Sequence, residues 1–311
     1  MKNKQAGFAS SGVVALAILA AIFGLTAVMA RYFSKGTGVF EQWYLRYSVS
    51  FLFTLLIFWK SISLRKFLKL SQREWLIVIF RAILGSVAAV AIYTLAAQKA
   101  KVGPVAFMQV LPTTALLGVF LLHEKISIAK IALITLSFLG AAIVVVPSVH
   151  DISGFNLGEL LSFISGACFS LQFVTRKWHT SELNNQEITL AMVGIGMVLN
   201  YALSLLVYHR AFATGADWSI KYTILLVAAG MLSAVMIFLV SYGFEHVSAV
   251  VASTILDLEQ IFGVIFGYVF YRETLSSREV IGGLVILVAV VLMNQVNNRE
   301  TLELKAVPNL D

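Results

Sequence analysis

The chain has 311 residues, 59% hydrophobic and only 13% charged, about half the charged share of an average soluble domain, and its mean hydropathy of +0.88 excludes a soluble globular protein. The net charge of +7 does not point to nucleic acid, because the Lys and Arg lie in loops between apolar runs rather than on one basic face. The single Cys168 sits inside an apolar run, so an intrachain disulfide is excluded.

Windows free of Asp, Glu, Lys and Arg, such as Ile131–His150, Ile188–His209, Tyr222–Phe244 and Val280–Asn298, alternate with short charged knots. Each is near the ~20 residues that a spanning helix requires. In chain order they predict ten spans, at about 12–31, 40–60, 75–98, 102–122, 127–147, 156–176, 187–208, 220–243, 247–271 and 277–296. All five tryptophans, Trp43, Trp59, Trp75, Trp178 and Trp218, fall at predicted span ends, where an indole meets both lipid and water. Lys2 and Lys4 before an apolar stretch ending in VMA also fit a cleavable signal peptide. That stretch is long enough to span, however, and its removal would break the repeat described next.

Five spans precede the loop PSVHDISG (Pro147–Gly154) and five follow it. GVFLLHEKIS closes the fourth span with Glu124, and FGYVFYRETLS closes the ninth with Glu273; each is followed by a span ending in a valine-rich run. This is an internal repeat of half the chain. An odd number of spans per copy starts the second copy on the opposite side of the bilayer, so the expected fold is an all-α polytopic membrane protein of two inverted five-helix repeats. The domain reading is 1–148, 149–296 and a tail at 297–311. Lys60, Arg65, Lys66, Lys69 and Arg73 in the second loop lead the bias of basic residues, which places both termini in the cytoplasm and the protein in the plasma (cell inner) membrane.

The segment RAILGSVAAVAIYTLAAQKAKVGPVAFMQVLPTTALLGVFLLHEKIS, Arg81–Ser127, resembles the third-to-fourth helix region of EamA-type drug/metabolite transporters. The marks are Arg81-Ala82 with Gly85, Tyr93 to Ala97, Pro112 within the fourth span and Glu124 at its end. Gly24, Arg46 and the sixth-span text GELLSFISGACFSLQFVTRK are also similar to that family. The resemblance runs from about residue 12 to 296. It implies two EamA-like repeats forming a ten-helix carrier of small metabolites, often an exporter, with a central cavity lined by the first four helices of each half. It names no substrate. Where such families often carry a second proline in the ninth helix, this chain has Gln260, so the second half is expected to lack that kink.

Ionisable groups within spans cost roughly 2.5–3.5 kcal/mol at a helix centre and therefore tend to face a partner or a watery cavity. Asp257 and Glu259 lie in the ninth span, Arg46 and Arg81 in the second and third. On an unbroken helix, positions i and i+2 differ by about 200°. Ser253, Asp257 and Gln260 then form a polar stripe facing the cavity, while Glu259 projects elsewhere to bond a neighbouring helix or an arginine. Either acid is also readable as a neutral packing group. Arg81 offers a fork for an anion or, as the resemblance favours, an ion pair that holds its helix; Arg46 reads the same way. Pro112 is a hinge candidate, with Gln109 one turn before it as a polar contact for cargo. Tyr93, Trp43 and Tyr44 are readable as stacking surfaces or as packing. Glu124-Lys125 and Arg272-Glu273 end equivalent helices, either as solvated pairs or as gates. Gly263 and Gly267 form a GxxxG read as packing within the bundle.

No GxxxxGK[ST] phosphate loop occurs, and the five His residues lack HExxH spacing, so no metal or cofactor is expected. The function expected is a secondary active or facilitative transporter, an exporter or exchanger, of a small metabolite such as an amino acid, without ATP and by alternating access. Proton coupling through Asp257 stands beside facilitated diffusion. Membrane lipid is the expected surrounding partner, with a monomer expected and a dimer open. An enzyme acting on a lipid, with Asp257 and Glu259 as acid and base, and a channel are the rival readings.

Overall fold

A computed structural model describes residues 2–33, 36–99, 109, 112–145, 157–216, 218–272 and 276–306. The first half comprises α1 (Lys2–Phe33), α2 (Val39–Phe58), a short α3 (Leu64–Leu68), and α4 (Gln72–Arg81) running through a π-helical stretch (Ala82–Ala89) into α5 (Val90–Lys99), followed by α6 (Thr113–Leu122) and α7 (Ile128–Val145). The second half comprises α8 (Leu157–Val174), α9 (Asn185–Tyr208), α10 (Ile220–His246), α11 (Ala249–Leu256), α12 (Leu258–Tyr271) and α13 (Ser277–Ala306). There is no strand among the described residues.

Among the described residues, five stretches are long and apolar enough to cross a membrane: Gln72–Ala96, Asn185–Tyr208, Ile220–His246, Ala249–Phe270 and Val280–Glu300. Shorter apolar helices run over Ser11–Thr26, Thr113–Leu122 and Ile128–Ile143. α2 is more polar at its start, where Glu41, Gln42 and Arg46 are all buried inside the protein. Along α13 the exposed residues Ile281, Leu284, Val288 and Val291 recur at helical spacing opposite buried Ile286, Ala289 and Met293. In water an apolar outer stripe would be a liability; on a spanning helix it is the lipid-facing side. The chain is an integral multi-pass membrane protein.

Helix starts follow from side chains that accept the otherwise unpaired first-turn N–H groups. Asn184 accepts from the Glu187 backbone at 2.8 Å while Glu187 accepts from the Asn184 backbone at 3.0 Å, a reciprocal cap on α9. Ser71, Ser219 and Ser248 cap α4, α10 and α11 in the simpler way.

The tertiary packing has the symmetry that the sequence repeat implies. α2 packs on α9 and α7 on α13, pairing the second and fifth spans of each half with their counterparts. α1 packs on α10, just as α5 and the π-helical stretch pack on α8; α2 on α10 is matched by α9 on α4 and the π-helical stretch. Exchanging the halves thus reproduces the contact pattern, so the core is shared between them rather than enclosed by either.

Two local features refine the expected packing. The ninth span tightens for one residue at Asp257, between α11 ending at Leu256 and α12 starting at Leu258, while Asp257 itself keeps right-handed helical dihedrals (φ −60°, ψ −17°). The Gln260 N–H bonds the Asp257 carbonyl at 3.1 Å, one residue tighter than an α-helical bond. At the GxxxG a Cβ on Gly263 would point into open space, and the close contact is made by the Gly263 backbone. The approach comes from Gly24 of α1, where a Cβ would lie 2.9 Å from the Gly263 nitrogen and 3.1 Å from the Phe262 carbonyl carbon.

Candidate functional site

A cavity lies between the halves, with walls from α1, α2, α5, α6, α8, α10, α11 and α12. Its polar lining includes Thr26, Tyr93, Gln109, Thr114, Ser170, Ser253, Asp257 and Glu259. Trp43, Phe23, Phe169 and Phe173 supply aromatic walls, with Phe23 and Phe169 ring centres 6.4 Å apart and Phe169 and Phe173 5.9 Å apart.

Asp257 and Glu259, two residues apart in the ninth span, both line the cavity. This corrects the expected assignment of Glu259 to another face. Asp257 is 8% exposed, and its Oδ2 accepts a hydrogen bond from Ser137 Oγ at 2.5 Å. No hydrogen bond or ion pair from the described residues reaches the Glu259 carboxylate. Gln260, expected on the same stripe as Asp257, is buried outside the lining.

The other expected residues divide between the cavity and the packing behind it. Gln109 lines the cavity and donates from Nε2 to Ser165 Oγ at 3.1 Å; Pro112 stands just before α6 at its N-cap position. Trp43 is a buried wall residue rather than an interfacial indole, and its Nε1–H donates to Thr94 Oγ1 at 3.3 Å. Tyr44 packs edge-on against Tyr201 at 5.2 Å, outside the lining. Arg46 is fully buried with its guanidinium 4.2 Å from the Trp43 ring centre and its Nη2 donating to Ser233 Oγ at 3.0 Å. Neither arginine pairs with Glu259.

Arg81 belongs to an ion-paired face formed by the loops after the second, fourth, sixth and eighth spans. Its Nε–H donates to the Gln172 carbonyl at 3.1 Å, and its Nη1 lies 2.9 Å from His179 Nε2. An arginine offers only donors. His179 Nε2 must therefore accept, and Nδ1–H donates to Glu74 Oε1 at 2.5 Å. Burial and the neighbouring Arg81 and Arg176 push the His179 pKa down to about 2, in keeping with this neutral ring. Glu74 Oε2 also accepts from the Thr180 backbone at 3.0 Å and from its hydroxyl at 3.1 Å.

Three further contacts lace this face: Lys66 to Glu187 at 2.9 Å, Arg176 to Glu245 at 3.1 Å and Lys177 to Glu124 at 3.1 Å. Glu124 thus pairs across the halves with Lys177, not with its neighbour Lys125. Its two oxygens also accept the first backbone N–H groups of α11, from Ala249 at 2.9 Å and Val250 at 3.1 Å. Glu273 lies outside the described residues.

Sequence reading missed the hydroxyls of Thr26, Thr114 and Ser170, of which Thr114 donates to Ser170 at 2.8 Å. Single hydroxyls in a span carry no distinguishing pattern. The pair Phe169 and Phe173 did carry one, since i and i+4 share a helix face.

A sequence profile of the EamA-like transporter family matches residues 10–146 and 156–295. Among individual proteins, an uncharacterized transporter of Archaeoglobus fulgidus is 24% identical over 210 residues, covering 65% of this chain and 71% of that one. An uncharacterized transporter of Synechocystis is 24% identical over 258 residues, covering 76% and 70%. A WAT1-related chloroplast protein of Arabidopsis thaliana is 29% identical over 192 residues, covering 58% of this chain and 45% of its own. One crystal structure shares the fold with a TM-score of 0.76 at 13% identity, covering 93% of this chain and 98% of that one. With both profile matches falling on the two halves that build the cavity, this membrane protein belongs to the EamA-like transporter family.

Proposed function

We propose that the protein is a secondary carrier that moves a small metabolite, such as an amino acid or related solute, through alternating access around the cavity between its inverted halves. The observation that carries this reading is the cavity between the halves, whose lining includes the carboxylates Asp257 and Glu259 of the ninth span. A site at the interface of two repeats is where many secondary transporters hold their cargo within lipid. Asp257, Ser253, Glu259, Gln109 and Tyr93 contact the cargo, with Trp43 as a wall; Gln260 and Tyr44 support them from behind.

The laced face with Glu124 and Lys177 is the closed gate, and it is cytoplasmic if the loop bias toward basic residues sets topology as usual. Opening it requires Glu124 to release the start of α11, which couples the gate to the helix that carries Asp257. Both termini are then cytoplasmic, in the cell inner membrane, and transport runs as export or exchange without ATP. Cargo must bind the two access states with similar strength, because a ligand that strongly favours one state holds the protein there.

Counterflow in proteoliposomes tests this reading. Vesicles preloaded with an unlabelled solute should accumulate the labelled one transiently, and Asp257→Asn should abolish most of that exchange. Flux that neither saturates nor responds to the preload would identify a channel and overturn the carrier.

A further inference from the structure

From the charge balance of the cavity we infer that its cargo is an organic monocation, an ammonium group on a compact aromatic or branched apolar body. The inference rests on the carrier reading for transport, but the binding site it describes stands on geometry alone.

Two carboxylates, Asp257 and Glu259, line the cavity, and no Lys, Arg or His does so among the described residues. The two buried arginines stand outside the lining, although Arg46 Nε and Nη1 and Arg81 Nη2 have no hydrogen-bond partner among the described residues. Arg46 lies 4.2 Å from the ring centre of Trp43, a wall residue, and bonds Ser233, without itself joining the lining. Arg81 is tied to the Gln172 carbonyl and to His179. An anionic cargo would meet two carboxylates and no cation among the described lining residues, and the carboxylate of a zwitterion would find no cationic partner there. An ammonium group offsets one of these two charges, and in a low-dielectric site that attraction is weakly screened.

Hydrogen-bonding capacity points to the same class. Ser253 is 8% exposed and lines the cavity, yet its hydroxyl has no partner among the described residues. Glu259 likewise receives no hydrogen bond from them, and only one oxygen of Asp257 is engaged, by Ser137. An R–NH3+ group carries three donors and no acceptor, which suits three oxygen-bearing side chains in one lining. The same lining holds Phe23, Trp43 and Phe169, whose apolar surface and π faces bury the body of such a ligand and attract its charge.

The test uses phenethylammonium at pH 7.5 as probe, against 2-phenylethanol (neutral), phenylalanine (zwitterionic) and 3-phenylpropionate (anionic). Binding to the detergent-solubilised full chain is measured by calorimetry, and transport by counterflow. Phenethylammonium should bind at least tenfold more tightly than each comparator. Glu259→Gln is the primary variant, because that side chain has no native partner to lose and the fold should persist; it should weaken phenethylammonium binding at least tenfold, with Glu259→Asp partly restoring it. Equal or better binding of phenylalanine or phenylpropionate, or unchanged binding in Glu259→Gln, overturns the cation assignment. Cation binding without counterflow supports the assignment and removes the carrier reading instead. Counterflow of a zwitterion or anion without cation binding does the reverse.

Discussion

The Glu124 carboxylate, from the first half of the chain, accepts the backbone N–H of Ala249 in the second half at 2.9 Å. With Val250 and Lys177 it holds the start of α11 by a charge at the positive end of a helix. Glu124→Ala should therefore cost about 1–2 kcal/mol, as lost helix caps do, whereas Lys177→Ala, whose ammonium is partly solvated, should cost about 1 kcal/mol or less. Unfolding in mixed micelles compares the two. A larger loss in Lys177→Ala would show that the ion pair, and not the cap, secures this face.

His179 gives the ion-paired face a definite response to acid. Its folded-state pKa is near 2, while the unfolded ring titrates near 6.5. Below pH 6.5 the unfolded chain binds a proton that the folded chain refuses, so stability falls with decreasing pH. The contribution of this group approaches about 1.4 kcal/mol per pH unit. Thermal midpoints measured from pH 7.5 to 5.0 should thus drop less steeply in His179→Gln, even though that variant starts lower at pH 7.5 through lost hydrogen bonds. An unchanged slope would mean that His179 does titrate normally in the fold.

The crossing of α1 and α12 should respond to its two glycines in opposite ways. At Gly24 a methyl group would press on backbone atoms of Phe262 and Gly263, which cannot rotate aside, so Gly24→Ala should destabilise by about 1–3 kcal/mol. At Gly263 the same methyl meets open space, and Gly263→Ala should be neutral or gain about 0.5–1 kcal/mol from helix propensity. Equal losses at both positions would contradict the described contact.

Ser137 and Ser253 separate packing from cargo contact. Ser137→Ala leaves a buried Asp257 oxygen without its donor and should cost about 1–3 kcal/mol of stability. Ser253→Ala removes a hydroxyl that bonds nothing among the described residues, so its effect on stability should stay within about 0.5 kcal/mol while the KM for cargo rises. A stability loss without a change in KM at Ser253 would remove it from the site.

How much of the site was legible depended on whether the feature was local. Asp257, Tyr93, Gln109 and Trp43 stood out because a polar or large aromatic group inside an apolar run has a cost that calls for a partner. The place of Glu259 in the lining was not legible, because helical periodicity gives the angle between two side chains but not how far around a helix the cavity reaches. The cap of α11 by Glu124 was equally hidden: 125 residues separate Glu124 from Ala249, and the text around Glu124 offers the adjacent Lys125 as a partner.

Composition and periodicity by themselves determined that this chain enters a membrane as helices, that it is built from two related halves, and that few ionisable groups occupy its spans. These follow from the cost of exposing polar groups to lipid, which every residue pays separately and which can therefore be read along the chain. Which of those groups share a cavity, which are sealed behind Trp43 or at the ion-paired face, and which half caps the helices of the other were decided only by tertiary packing. There the energy belongs to pairs of residues far apart in sequence, as between Glu124 and Ala249.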